Sequence, residues 1–180
     1  MLYNSQIGSR VPVIKLTSEV LPPSDKFVVL HIDDESEQLF FAKTFLEESD
    51  PELDIISVRT ADDLLERLDK DVDCIVSDYV MPDVNGMDLC KRVKQVQDIP
   101  FIMYTGRGRE VVAEAAFQAG VDDYVRKEAD PSHYQLLARR IKSHAESNRR
   151  KREERRYQER LEGVREILPV ISSANTLEEV

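Results

Sequence analysis

Five short apolar runs alternate with segments of helical period over residues 27–145, and no other feature of the chain restricts its fold so strongly. The first run, Phe27-Val28-Val29-Leu30-His31-Ile32, is almost continuously apolar and stops abruptly at Asp33-Asp34-Glu35. A strand covered on both faces reads in this way, because neither face meets water. Further runs follow at 55–58, 74–77, 99–104 and 124–125. Between them apolar residues recur at steps of three and four: Leu39, Ala42, Phe45 and Leu46, then Ala61, Leu64, Leu65 and Leu68. Residues 86–96 repeat the pattern with Met87, Leu89, Cys90, Val93 and Val96, and 109–119 with Val112, Ala115, Ala116 and Ala119. Such spacing gathers an apolar stripe on one side of a helix. Asp62 and Asp63 suit a helix N-terminus, and Gly120 is placed as a helix terminator. Fivefold alternation predicts an α/β fold: a five-stranded parallel, doubly wound sheet with right-handed crossovers and helices on both faces.

The flanks read differently. Residues 1–24 show no period and are interrupted by Pro12, Pro22 and Pro23, which predicts a flexible leader before a folded unit at 25–146. Tyr134, Leu137, Ile141 and Ala145 predict a fifth helix after Pro131. The chain then turns polar, and 147–168 reads as a charged connecting helix. Its stripe of Tyr157, Leu161, Val164 and Leu168 is offset by one residue from the frame of Leu137, Ile141 and His144, so a single unbroken coiled coil is not supported. The stripe suits a homodimer or packing on a following domain. Pro169 is predicted to end this helix, and Thr176-Leu177-Glu178-Glu179 matches a capping box, so 169–180 reads as the start of a truncated further domain.

Composition narrows the function. A net charge of −10 opposes general attraction to nucleic acid or anionic membranes. The basic run at 149–156 is interrupted by Glu153 and Glu154 and reads as a solvated connecting helix rather than a nucleic-acid contact. No apolar stretch is long enough for a membrane span, and no secretory signal opens the chain, so a cytoplasmic location is expected. Cys74 and Cys90 lie in apolar periodic segments without metal-ligand spacing and read as reduced thiols.

In open α/β sheets ligands bind beyond the carboxyl ends of the strands. The first run delivers Asp33 and Asp34 there, the third Asp78, the fourth Thr105 and the fifth Lys127. Converging carboxylates need a cation among them, and a hard divalent ion such as Mg²⁺ takes oxygen ligands of this type. A threonine hydroxyl and a lysine ammonium add donors for phosphoryl oxygens. The set suits phosphoryl transfer, in which positioning and charge neutralisation dominate, with Asp78 as a nucleophile forming an acyl phosphate.

These motifs resemble the receiver domain of two-component response regulators. Ser77-Asp78-Tyr79-Val80-Met81-Pro82-Asp83-Val84-Asn85-Gly86 is similar to the family's phosphoacceptor loop, and Asp33-Asp34 to its acidic metal pocket. Tyr104-Thr105-Gly106 resembles the switch hydroxyl and the small residue after it, and Asp123-Tyr124-Val125-Arg126-Lys127 the switch aromatic and the lysine. The resemblance implies a CheY-like sheet in the order 2-1-3-4-5, the order of a chemotaxis receiver. It implies phosphorylation of Asp78 by a histidine kinase or phosphotransfer protein. Asp34, Asp78 and the Val80 carbonyl would bind Mg²⁺ directly, with Asp33 acting mainly through water. Lys127 would pair first with Asp78 and then with the phosphoryl group, while Thr105 and Tyr124 move inward. The family usually places proline after the lysine; Glu128 stands there, so a trans bond or a different turn is expected. Arg107, in a glycine-rich loop, is either solvated or screens the phosphoryl group.

Two other readings remain open at this level. An aspartate-nucleophile phosphohydrolase would place an acid–base aspartate two residues after the nucleophile, where Val80 stands. A receiver-like adaptor would keep the fold without phosphorylation.

Overall fold

The computed structural model describes residues 26–106 and 110–175, with side chains over 26–106 and 114–162. The leader at 1–24, Arg107 and the capping box at 176–179 lie outside the described residues.

Strands β1 (Phe27–Ile32), β2 (Leu53–Val58), β3 (Val72–Ser77), β4 (Phe101–Thr105) and β5 (Asp123–Arg126) alternate with helices α1 (Ser36–Ser49), α2 (Ala61–Glu66), α3 (Gly86–Val96), α4 (Glu110–Gln118) and α5 (His133–Asn175). All four strand pairings are parallel, and the order is β2-β1-β3-β4-β5. Side chains alternate across the sheet, so it has two cores. On one face Val29, Cys74, Val76, Ile102 and Tyr104 meet Leu46 of α1 and Leu137 and Ile141 of α5. On the other, Leu30, Ile32, Ile75, Phe101 and Met103 meet Leu64 of α2, Leu89 and Val93 of α3 and Ala116 of α4. Gly120 does terminate the turn after α4: its φ is +95°, and the Val121 amide donates back to the Ala116 carbonyl at 3.1 Å.

Two boundaries differ from expectation for a physical reason. β2 begins at Leu53 and β3 at Val72, each ahead of the apolar run, because Asp54 and Asp73 break the hydrophobic pattern while keeping strand geometry. Asp73 is the more unusual. The β1–β3 register passes from Val28↔Val72 to Val29↔Cys74, leaving Asp73 as the extra residue of a bulge. Its buried carboxylate accepts the Val28 amide at 3.0 Å, Arg149 Nε at 3.0 Å and an Arg149 terminal nitrogen at 2.6 Å, and it also pairs with Arg152.

That clasp corrects the reading of 149–156 as wholly solvated. Arg149 and Arg152 dock α5 onto the sheet, Asn148 donates to the Asp73 carbonyl at 3.1 Å, and the Arg149 guanidinium stacks 4.2 Å above the Phe27 ring. The fifth helix and the connecting helix are thus one element. Pro169 does not end it either: helical backbone continues to Asn175. An internal proline removes one amide donor and costs about 3 kcal/mol, a local penalty that a long helix can absorb.

Candidate functional site

The carboxyl ends of β1, β3, β4 and β5 open into a cleft of about 350 Å³, whose walls include Asp33, Asp34, Asp78, Val80, Thr105 and Lys127. The three acids, the threonine and the lysine expected from the sequence all line it. Tyr124 does not; it lies half-buried on the α4 side of the sheet, packed with the second core and in register with Met103.

Lys127 organises the cleft. Its Nζ lies 2.5 Å from Asp33 Oδ2 and 3.1 Å from Asp78 Oδ1, so one ammonium bridges two carboxylates from different strands. The remaining oxygens are fixed by backbone. Asp33 Oδ1 accepts the Glu35 amide at 2.9 Å where α1 begins, and Asp78 Oδ2 accepts the Val80 amide at 2.9 Å. Burial opposes the charge on Lys127, but Asp33 and Asp78 together outweigh it and hold the ammonium above its ordinary pKa. Burial pushes the Asp33 carboxyl up against the pull of Lys127.

The Asp78 loop is seated by close packing. The Asp78 amide donates to the Ile32 carbonyl at 3.0 Å, continuing the β1–β3 ladder one residue past the strands. The Gly86 amide donates to the Tyr79 carbonyl at 2.9 Å, and a Cβ at Gly86 would lie 2.4 Å from the Asp78 carbonyl oxygen. Only glycine fits below that loop. The Asn85 side chain caps α3 by accepting the Asp88 amide at 2.9 Å. At Gly106, by contrast, an added Cβ would meet, among the described residues, Lys127 Cβ at 3.7 Å.

On the far side of Lys127, the Lys127–Glu128 peptide is trans. Sequence reading missed Tyr104 and His133, which also line the cleft. The Tyr104 hydroxyl is hydrogen-bonded to His133 Nε2, and its ring centre lies 5.3 Å from Lys127 Nζ. Their proximity depends on the β4–β5 pairing and could not be found from spacing alone.

Oxygen donors from Asp33, Asp34, Asp78 and the Val80 carbonyl fit a hard divalent cation in kind. Among the described residues no three acidic, histidine or cysteine side chains are gathered as a ready cage. That is compatible with Mg²⁺, which retains several waters and takes only one or two carboxylates.

Comparison with known proteins agrees with this architecture. The response regulator receiver domain family matches residues 29–139. Response regulator SaeR of Staphylococcus epidermidis is 32% identical over 121 residues, which are 64% of this chain and 52% of that protein. The chain therefore spans about half the length of the curated relatives it matches. A CheY-like receiver domain protein from Methanospirillum hungatei JF-1 superposes with a TM-score of 0.60 at 22% identity, covering 70% of this chain and 98% of that one. A receiver domain protein from Clostridium thermocellum gives 0.59 at 26% identity, covering 69% and 97%. With the match extending over more than half its length, this chain belongs to the receiver domain family of two-component response regulators.

Proposed function

We propose that the chain is a signalling switch that accepts a phosphoryl group on Asp78 from a histidine kinase or phosphotransfer protein. The observation that carries this reading is the Lys127 ammonium held between Asp33 and Asp78 in an open cleft that Thr105 also lines. In the transfer, an Asp78 carboxylate oxygen bonds to phosphorus as the donor's P–N bond breaks, and the donor imidazole leaves with that electron pair. No proton is taken from Asp78, so the site needs no general base. A carboxylate carries one negative charge and its acyl phosphate about two, so the ammonium beside Asp78 would interact more strongly with the product.

Asp34, Asp78 and the Val80 carbonyl would hold Mg²⁺ directly, with Asp33 acting through water. The ion would neutralise phosphoryl oxygens during transfer. Thr105, in the wall of the cleft at the end of β4, would donate its hydroxyl to a phosphoryl oxygen. Tyr124 would follow it inward. Val80 contributes an amide where a phosphohydrolase would need an acid–base side chain, which favours a stoichiometric switch over a turnover enzyme.

Incubation with Mg²⁺ and phosphoramidate tests the proposal. A single phosphoryl adduct is expected on the wild type and none on Asp78→Ala; omission of Mg²⁺ should abolish it. An adduct of equal yield on Asp78→Ala would sink the assignment.

A further inference from the structure

Glu128 stands where receivers usually carry proline, so the turn between Lys127 and α5 lacks the φ restraint of that ring. The last two residues of β4 grip both ends of this turn instead. The Thr105 carbonyl accepts the Lys127 amide at 3.0 Å. Six residues further on, the Tyr104 hydroxyl is bonded to His133 Nε2. His133 is fixed in turn, since its Nδ1 lies 2.5 Å from the Asp130 carbonyl oxygen. A carbonyl can only accept, so Nδ1 carries the proton, and in the neutral ring Nε2 is the acceptor for the tyrosine hydroxyl. Asp130 Oδ1 closes the turn by accepting the Ser132 amide at 2.8 Å.

The Tyr104 ring is locked by this arrangement. It is 1% exposed, and Lys127 Nζ lies 5.3 Å from its centre, within range of a cation–π attraction. The ammonium therefore has an aromatic ring near it as well as its two carboxylates.

We infer that Tyr104 and His133 are positioning residues for Lys127, forming a clasp that stands in for the missing proline. This inference rests on the proposed phosphoryl transfer to Asp78, because the lysine it positions is the one that would meet the phosphoryl group. Without the hydroxyl–imidazole bond the ring and the turn can shift together, and the ammonium loses its alignment with Asp78.

The test uses the full chain, Mg²⁺ and phosphoramidate, with the rate of acyl phosphate formation as the main readout. Tyr104→Phe keeps the ring and removes only the hydroxyl, so it should fold normally and slow phosphorylation roughly three- to tenfold. His133→Leu should match it, whereas His133→Gln, which retains an acceptor, should recover most of the rate. The loss from Tyr104→Phe should vanish when it is combined with Lys127→Ala, because the clasp acts through that lysine. The Lys127 side-chain NMR resonance should also move in Tyr104→Phe. A wild-type rate in Tyr104→Phe, or the same fold-loss with and without Lys127, would overturn the inference. If the wild type itself forms no adduct, the functional reading falls, and the Lys127 resonance decides alone: a shift supports the clasp and an unmoved signal overturns it.

Discussion

The two ends of the sheet each hold buried carboxylates gripped by cations from a distant element, yet they are built for different ends. At the amino end Asp73 is 0% exposed, and both its oxygens are occupied by two arginines and a backbone amide. Planar guanidinium groups, two donors deep, leave that carboxylate no capacity for a ligand. At the carboxyl end Asp78 is 9% exposed and shares a single flexible ammonium with Asp33 at the wall of an open cleft. Lysine is a point charge on a rotatable stem, so its partner can change. Saturation makes the first site structural, and exchangeability makes the second chemical.

Removing each carboxylate in turn should separate them. Asp73→Ala leaves two partly buried guanidinium groups without their acceptor and should cost about 3 kcal/mol in urea unfolding. Asp78→Ala leaves Lys127 paired with Asp33, so its stability should stay within about 1 kcal/mol of wild type. Equal losses in the two variants would break the distinction.

Acid should sharpen it next. His31 lies in the sheet between the two ends, fully buried, and neither ring nitrogen has a hydrogen-bond partner among the described residues. Burial, helped by Lys127, lowers its pKa to about 3 from 6.5. The unfolded chain thus takes up a proton below about pH 6.5 while the folded chain refuses it until about pH 3. The sign is destabilising on acidification: the contribution is complete above the unfolded value and shrinks by about 1.4 kcal/mol per pH unit below it. Urea melts of His31→Phe between about pH 7 and 5 should show a shallower decline than wild type. An identical slope would place the acid sensitivity elsewhere. The smallest effect belongs to the exposed Asp88–Lys91 pair, where Lys91→Ala should leave the urea midpoint at its wild-type value.

How far the sequence reveals these two ends follows the same division. The carboxyl end was legible because buried parallel strands are apolar runs, and an acid, hydroxyl or lysine at the end of such a run is conspicuous. Order and register brought Asp33, Asp78, Thr105 and Lys127 together as the alternation implied. Asp73 was invisible for the opposite reason. Its partners stand 76 and 79 residues away on a helix, and a lone acid at a strand's start reads as a loop residue. The same polarity hid the true start of β3, while the basic run that satisfies it looked solvated. Tyr104 and His133 were equally hidden, since their meeting needs the β4–β5 pairing and a turn whose shape no local pattern specifies.

The unbroken α5 carries a mechanical consequence. Between Arg152, where docking onto the sheet is last seen, and Asn175, the helix extends roughly 35 Å at 1.5 Å per residue. A tilt of about 10° at its seat would sweep the far end through roughly 6 Å, about one helical turn. A small change of seat at the sheet would thereby be magnified at the far end of the helix, as a pointer magnifies the motion of its pivot.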